Sequence, residues 1–140
     1  MSFGPEAIRG VPPSMAGTID YRLARQAVVR EYRRKRLARH EVCDAHPELL
    51  RAARSSGQPT EIDCPICEAA QVVLVSYVFG PGLPRSGRCV TTMSEMAELN
   101  RRRAELACYV VEVCPDCAWN HLTRVFPVGG RRASQDQARS

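Results

Sequence analysis

Lysine is almost missing from this sequence: of its 20 Lys and Arg residues only Lys35 is a lysine. Arginine codons are GC-rich, so the bias fits a high-GC genome as well as a purpose. The net charge of +5 is therefore weak evidence, and its distribution says more. No apolar run approaches the roughly 20 residues needed to span a bilayer, so no membrane association is expected. The N-terminus has no basic segment followed by an apolar one, so a classical signal peptide is not expected. There is no G-x-S-x-G, no glycine-rich phosphate loop and no H-E-x-x-H. The deaminase pairing of H-x-E with P-C-x-x-C is absent too, since in both CPxC motifs cysteine precedes proline instead of following it. No catalytic constellation stands out, and the expectation is a protein without enzymatic activity.

Seven cysteines are present, an odd number that forbids complete internal pairing. In a chain without an export signal they favour thiols and metal over disulfides. A reducing cytoplasm is the expected location. Four of the seven form two CPxC motifs, Cys64-Cys67 and Cys114-Cys117. Two C-x-x-C pairs are the four-thiolate pattern of structural zinc. Each tight turn can offer two sulfurs, and proline after the first cysteine presets the turn. The expected cofactor is one structural Zn2+ held by Cys64, Cys67, Cys114 and Cys117. The 46 residues between the motifs exceed the usual ribbon separation, which is tolerable because loop-closure entropy grows only logarithmically. Two other readings stay open: one CPxC as a redox pair, or unrelated free thiols. Cys108 and Cys89 read as small buried hydrophobes. Cys43 and His46 form a C-x-x-H pair that hints at a second half-site, against the plainer reading of a buried cysteine and a helix-capping histidine. His121 could replace a ligand or support one, against the default of an ordinary strand histidine.

The ends are poor in core material. Residues 1–17 and 128–140 are expected to be disordered. Thr18 and Asp20 offer N-caps for a helix whose apolar stripe is Tyr21, Leu23, Ala24, Ala27, Val28 and Tyr32. Asp44, His46 and Pro47 open another helix that ends near Gly57. Residues 18–56 thus form a helical module, and 57–127 a zinc-ribbon-like antiparallel β domain with an inserted helix: an α+β protein. QPTEID (58–63) reads as a turn-rich linker. QVVLVSYVF (71–79), LACYVVEV (106–113) and 119–128 read as strands. T-M-S-E (92–95) is a capping box opening a helix through about Ala104.

Within residues 21–39 lie Arg22, Arg25, Arg30, Arg33, Arg34, Lys35, Arg36 and Arg39, opposed only by Glu31. A basic helix in a zinc protein suggests phosphate contacts to RNA, DNA or a nucleoprotein complex, with Tyr32 available for stacking. The alternatives are an acidic protein surface as partner, or a merely solvated helix face.

The stretches GTIDYRLARQAV (17–28), EVCDAHPELLRAAR (41–54), CPIC (64–67), SYVFG (76–80) and YVVEVCPDCAWNHL (109–122) resemble an uncharacterised family of small actinobacterial proteins, a domain of unknown function. The resemblance runs from about Gly17 to Pro127. It implies an actinobacterial, cytoplasmic protein and supplies no activity. The CPxC pairs also resemble zinc-ribbon knuckles, where glycine often follows the second cysteine. Here Glu68 and Ala118 take those places, which puts the turn geometry in question.

Overall fold

The computed structural model describes residues 3–11 and 21–130. Three helices come first: α1 (Arg22–Arg33), α2 (Arg39–Val42) and α3 (Pro47–Ser56). Strands β1 (Gln58–Asp63), β2 (Gln71–Phe79) and β3 (Arg88–Val90) follow, then α4 (Met93–Asn100), β4 (Glu105–Val113) and β5 (Asn120–Gly129). The five strands form one antiparallel sheet in the order β1-β2-β4-β5. β3 takes over from β1 along the same edge of β2, pairing Ser76–Val78. The architecture is α+β, with zinc-ribbon-like knuckles at one end of the sheet.

Both faces of the sheet are covered. Val75 and Tyr77 of β2 and Tyr109, Val111 and Val113 of β4 share one face, packed under Leu49 and Ala53 of α3. Val78, Cys108 and Val110 share the other, packed under Leu99 of α4. This explains why β2 reads as a nearly unbroken apolar run, since a strand buried on both sides has no polar face to alternate with. α4 begins where the capping box places it. The Thr92 hydroxyl accepts from Glu95 N–H, and the Glu95 carboxylate accepts from Thr92 N–H. The helix stops at Asn100 rather than near Ala104.

Several expectations are corrected. Residues 3–11 are not a disordered lead-in. Phe3 and Ile8 are each only 3% exposed, and Phe3 packs 4.8 Å from the Tyr77 ring. Leu122 N–H donates to the Arg9 carbonyl at 2.8 Å, so the segment also binds the edge of β5. Two isolated hydrophobes among prolines and glycines carry no periodicity, so their burial left no pattern to read. Met1, Ser2 and residues 12–17 lie outside the described residues, as do the Thr18 and Asp20 caps. The expected disordered tail from 128 begins too early: β5 continues to Gly129 and buries Val128. Residues 131–140 lie outside the described residues.

QPTEID is a strand and not a linker. β1 is an edge strand with mostly exposed side chains, so its pairing rests on backbone bonds to β2 that composition does not reveal. Proline at position 59 is compatible with an edge. The short β3 was not anticipated either. On α1 the buried face is Tyr21 and Val29, with Arg25, Val28 and Tyr32 half-buried. Leu23, Ala24 and Ala27 face outward, Leu23 being 77% exposed. α1 ends with Lys35 at φ 61°. Lys35 N–H reaches the Tyr32 carbonyl and Arg36 N–H the Glu31 carbonyl, both at 2.9 Å. That is a Schellman end with lysine in the place usually taken by glycine. Among the described residues, no helix is long and apolar enough to cross a membrane.

Candidate metal centre

Each CPxC motif caps a hairpin. β1 ends at Asp63 and Cys64 follows; the chain turns through CPIC and returns as β2. β4 ends at Val113 and Cys114 follows; the chain turns through CPDC and returns as β5. The two turns are closed by equivalent bonds from Glu68 and Ala118 and differ in their other contacts. Glu68 N–H donates to the Cys64 carbonyl at 3.1 Å, and Ala118 N–H to the Cys114 carbonyl at 3.0 Å. Cys64 N–H closes on the Ala70 carbonyl and Cys114 N–H on the Trp119 carbonyl, both at 2.8 Å. Ile66 N–H points at the Cys64 sulfur and Cys117 N–H at the Cys114 sulfur, both at 3.4 Å. Glu68 (φ 57°) and Ala118 (φ 75°) adopt the left-handed conformation directly. The knuckle geometry is therefore kept without the glycines.

The long separation between the motifs is spent on one excursion. β2 leaves the first knuckle, and β4 returns antiparallel beside it with Val73 opposite Val113. Both knuckles thus stand at the same end of the sheet, while β3 and α4 occupy the intervening sequence. The four sulfurs lie within 4.8 Å of one another, with Cys64–Cys117 and Cys67–Cys114 both at 3.7 Å. A tetrahedron with zinc–sulfur bonds of about 2.3 Å has edges of about 3.8 Å. The thiols therefore fit a metal ion. Cys64 and Cys114 are buried, and Cys67 and Cys117 are partly exposed. Burial pushes the Cys64 thiol up to about 11. Burial acts the same way at Cys67, but the N–H groups of Ala69 and Ala70 outweigh it and bring that thiol down to about 7. The Cys117 thiol is raised, first by burial and then by its contact with Cys43. A cation held here would replace those protons.

α1 and α2 roof this end of the sheet. Val29, Val42, Cys64, Ile66, Val72, Cys114 and Trp119 form one cluster, with Val28, Tyr32 and Leu37 against it. Polar contacts tie the same parts together. Trp119 Nε1–H donates to Glu112 Oε2 at 2.7 Å, and Arg25 Nε–H donates to Glu112 Oε1 at 2.7 Å. Glu112 is 4% exposed. Sequence reading overlooked this trio, although the one carboxylate inside YVVEV was its signal.

The basic residues divide. The Arg25 guanidinium pairs with Glu112 within the fold. Arg36 pairs loosely with Glu31 at 3.5 Å. Arg39 lies near Cys43 and Cys117, whose charges raise its pKa. Arg22 and Lys35 are exposed. Arg30, Arg33 and Arg34 line an open groove of about 570 Å³, together with Pro65 of the first knuckle and with Arg25, Gln26 and Val29 of α1. Among the described residues Arg30, Arg33 and Arg34 make no ion pair.

The remaining candidates fall out plainly. His46 caps α3, its Nδ1 accepting from Glu48 N–H at 3.0 Å. His121 is buried against Trp119, with Nδ1 2.7 Å from the Leu122 carbonyl, and burial lowers its pKa. His40 is exposed. Cys108 is buried in the sheet and Cys89 is half-buried. Cys43 builds no second half-site with His46; its sulfur lies 3.2 Å from that of Cys117.

An α+β fold whose paired knuckles bring four cysteines together defines the class as zinc-ribbon-like. The chain belongs to the family of unknown function DUF5318, whose model matches residues 14–140. It is similar to uncharacterized protein Rv0049 of Mycobacterium tuberculosis (strain ATCC 25618 / H37Rv), with 42% identity over 117 residues, 84% of this chain and 85% of the relative. Uncharacterized protein Mb0050 of Mycobacterium bovis (strain ATCC BAA-935 / AF2122/97) matches to the same extent. No solved structure matches the chain.

Proposed function

We propose that this is a non-enzymatic zinc-stabilised binding module of the cytoplasm that engages nucleic acid through the exposed end of α1. The carrying observation is the arginine groove. Arg30, Arg33 and Arg34 are left without carboxylate partners among the described residues, beside Pro65 of the first knuckle. Unneutralised guanidinium groups on a fixed helix suit phosphate oxygens. The all-thiolate set and its tetrahedral spacing support the reading of the ion as zinc. Four thiolates close the coordination shell, so the metal offers no position to a substrate and its work is structural.

The test is binding of labelled 20-nucleotide RNA and DNA by fluorescence anisotropy across a salt series. Each phosphate neutralised adds about 0.9 to the salt slope on B-DNA and about 0.7 on single strands. Three arginines therefore predict a slope of about −2 to −3, lost in the R33E/R34E variant. Salt-insensitive binding, or binding unchanged in that variant, overturns the reading. A partner retained after nuclease treatment and despite both substitutions would point to an acidic protein surface instead.

A further inference from the structure

We infer that Cys43 and Cys117 form a peroxide-sensitive disulfide site on the rim of the metal centre, whose closure releases the ion. The inference rests on the zinc reading above. Its basis is the placement of a fifth sulfur. Cys43 Sγ lies 3.2 Å from Cys117 Sγ, closer than the 3.7 Å pairs within the ligand set. A disulfide bond is about 2.05 Å long, so bonding needs an approach of little more than an ångström.

This placement is built by the fold. Cys43 caps α2, its N–H bonded to the Arg39 carbonyl at 2.8 Å. Two residues on, Ala45 N–H donates to the Ala118 carbonyl at 2.9 Å, stitching the segment to the second knuckle. Asp44 Oδ1 accepts from Asn120 Nδ2 at 3.2 Å and from the Arg9 guanidinium at 2.8 Å. Arg9 also donates to the carbonyls of Glu41 and Val42. Cys43 is thus held beside Cys117 from three directions, 74 residues away in sequence. Both cysteines are partly exposed, whereas Cys64 and Cys114 are buried. Four thiolates complete a zinc shell, so Cys43 keeps its lone pairs free while its neighbours spend theirs on the metal.

The chemistry balances with hydrogen peroxide as oxidant. The Cys43 sulfur attacks one peroxide oxygen; an S–O bond forms, the O–O bond breaks, and water leaves after proton transfer. Cys43 is then a sulfenic acid. The Cys117 sulfur attacks the Cys43 sulfur; the S–S bond forms, the S–O bond breaks, and hydroxide leaves, taking a proton to become a second water. A metal ion held by Cys117 would lose that ligand in this step. Two cysteines lose two electrons together, and one peroxide becomes two waters. Three thiolates would remain for the ion, which would then be lost to competing ligands. Reduction by a dithiol restores the five-thiol state.

The test uses the full zinc-loaded chain, a few equivalents of hydrogen peroxide, a colorimetric zinc chelator and disulfide mapping by mass spectrometry. The expected result is a Cys43–Cys117 cross-linked peptide, with one zinc released per chain in step with it. The C43S variant should hold zinc beforehand and release it at least tenfold more slowly. Zinc release in C43S at the wild-type rate overturns the inference, as does a first disulfide confined to Cys64, Cys67, Cys114 and Cys117. If C43S fails to fold, the wild-type disulfide map still decides. If the starting protein holds no zinc, the metal reading fails on its own, and the map still reports whether Cys43 and Cys117 pair first.

Discussion

Trp119 donates its indole N–H to the buried Glu112 carboxylate at 2.7 Å, and that carboxylate anchors α1 through Arg25. Trp119 follows the second knuckle directly, Glu112 lies two residues before it, and Arg25 belongs to the helical segment. One carboxylate therefore joins the helix to the metal end of the sheet. Stripping Arg25 should leave a buried, under-compensated charge. R25M is expected to lose about 2–4 kcal/mol, below the usual range for a fully buried pair because the Arg25 side chain is 23% exposed. R25M/E112Q should recover part of this, since an amide oxygen can still accept from Trp119. Urea unfolding of zinc-saturated protein checks both; a neutral R25M would contradict the role given to the trio.

The knuckle turns carry strain that glycine would relieve. Ala118 at φ 75° and Glu68 at φ 57° occupy a region costing roughly 1 kcal/mol for a residue with a Cβ. A118G is expected to raise stability by up to about 1 kcal/mol, while A118V lowers it. Thermal melts of the zinc-bound forms separate these outcomes, and a destabilised A118G would show that the alanine methyl packs more than it strains.

Phe3 tests the N-terminal segment. With a 3% exposed ring against Tyr77, F3A is expected to cost about 3 kcal/mol by cavity formation. A disordered lead-in would make F3A silent in a denaturant titration.

Proton release should report the thiols. At pH 7.5 a Cys64 thiol pushed up to about 11 is still protonated, and the Cys117 thiol is raised as well. Zinc must displace these protons, so its affinity rises with pH and weakens as pH falls. Calorimetric titration in two buffers of different ionisation enthalpy is expected to show at least two protons released per zinc. Fewer than one would contradict thiolate ligation.

How much was legible follows from what each element needs. β2 and the capping box of α4 rest on local chemistry, and both stand where the residues place them. The cysteine spacing marked the four sulfurs because two tight turns must each present two ligands. β1 and the N-terminal segment rest on partners distant in sequence, so composition showed only a turn-rich stretch and a proline-rich end. Arg25 read as one charge among eight, because only the fold brings the Glu112 carboxylate beneath it. Cys43 read as half of a pair with His46, because the 74-residue link to Cys117 is made by tertiary packing alone.

The central claim is one structural zinc holding both knuckles, and metal analysis of the purified chain with Trp119 fluorescence tests it most directly. Trp119 is the only tryptophan, and it is fully buried behind the second knuckle. One zinc per chain is expected to survive dialysis, with a fluorescence change when a strong chelator removes it. A metal-free chain that is fully folded, with Trp119 emission indifferent to zinc and chelator, would contradict it.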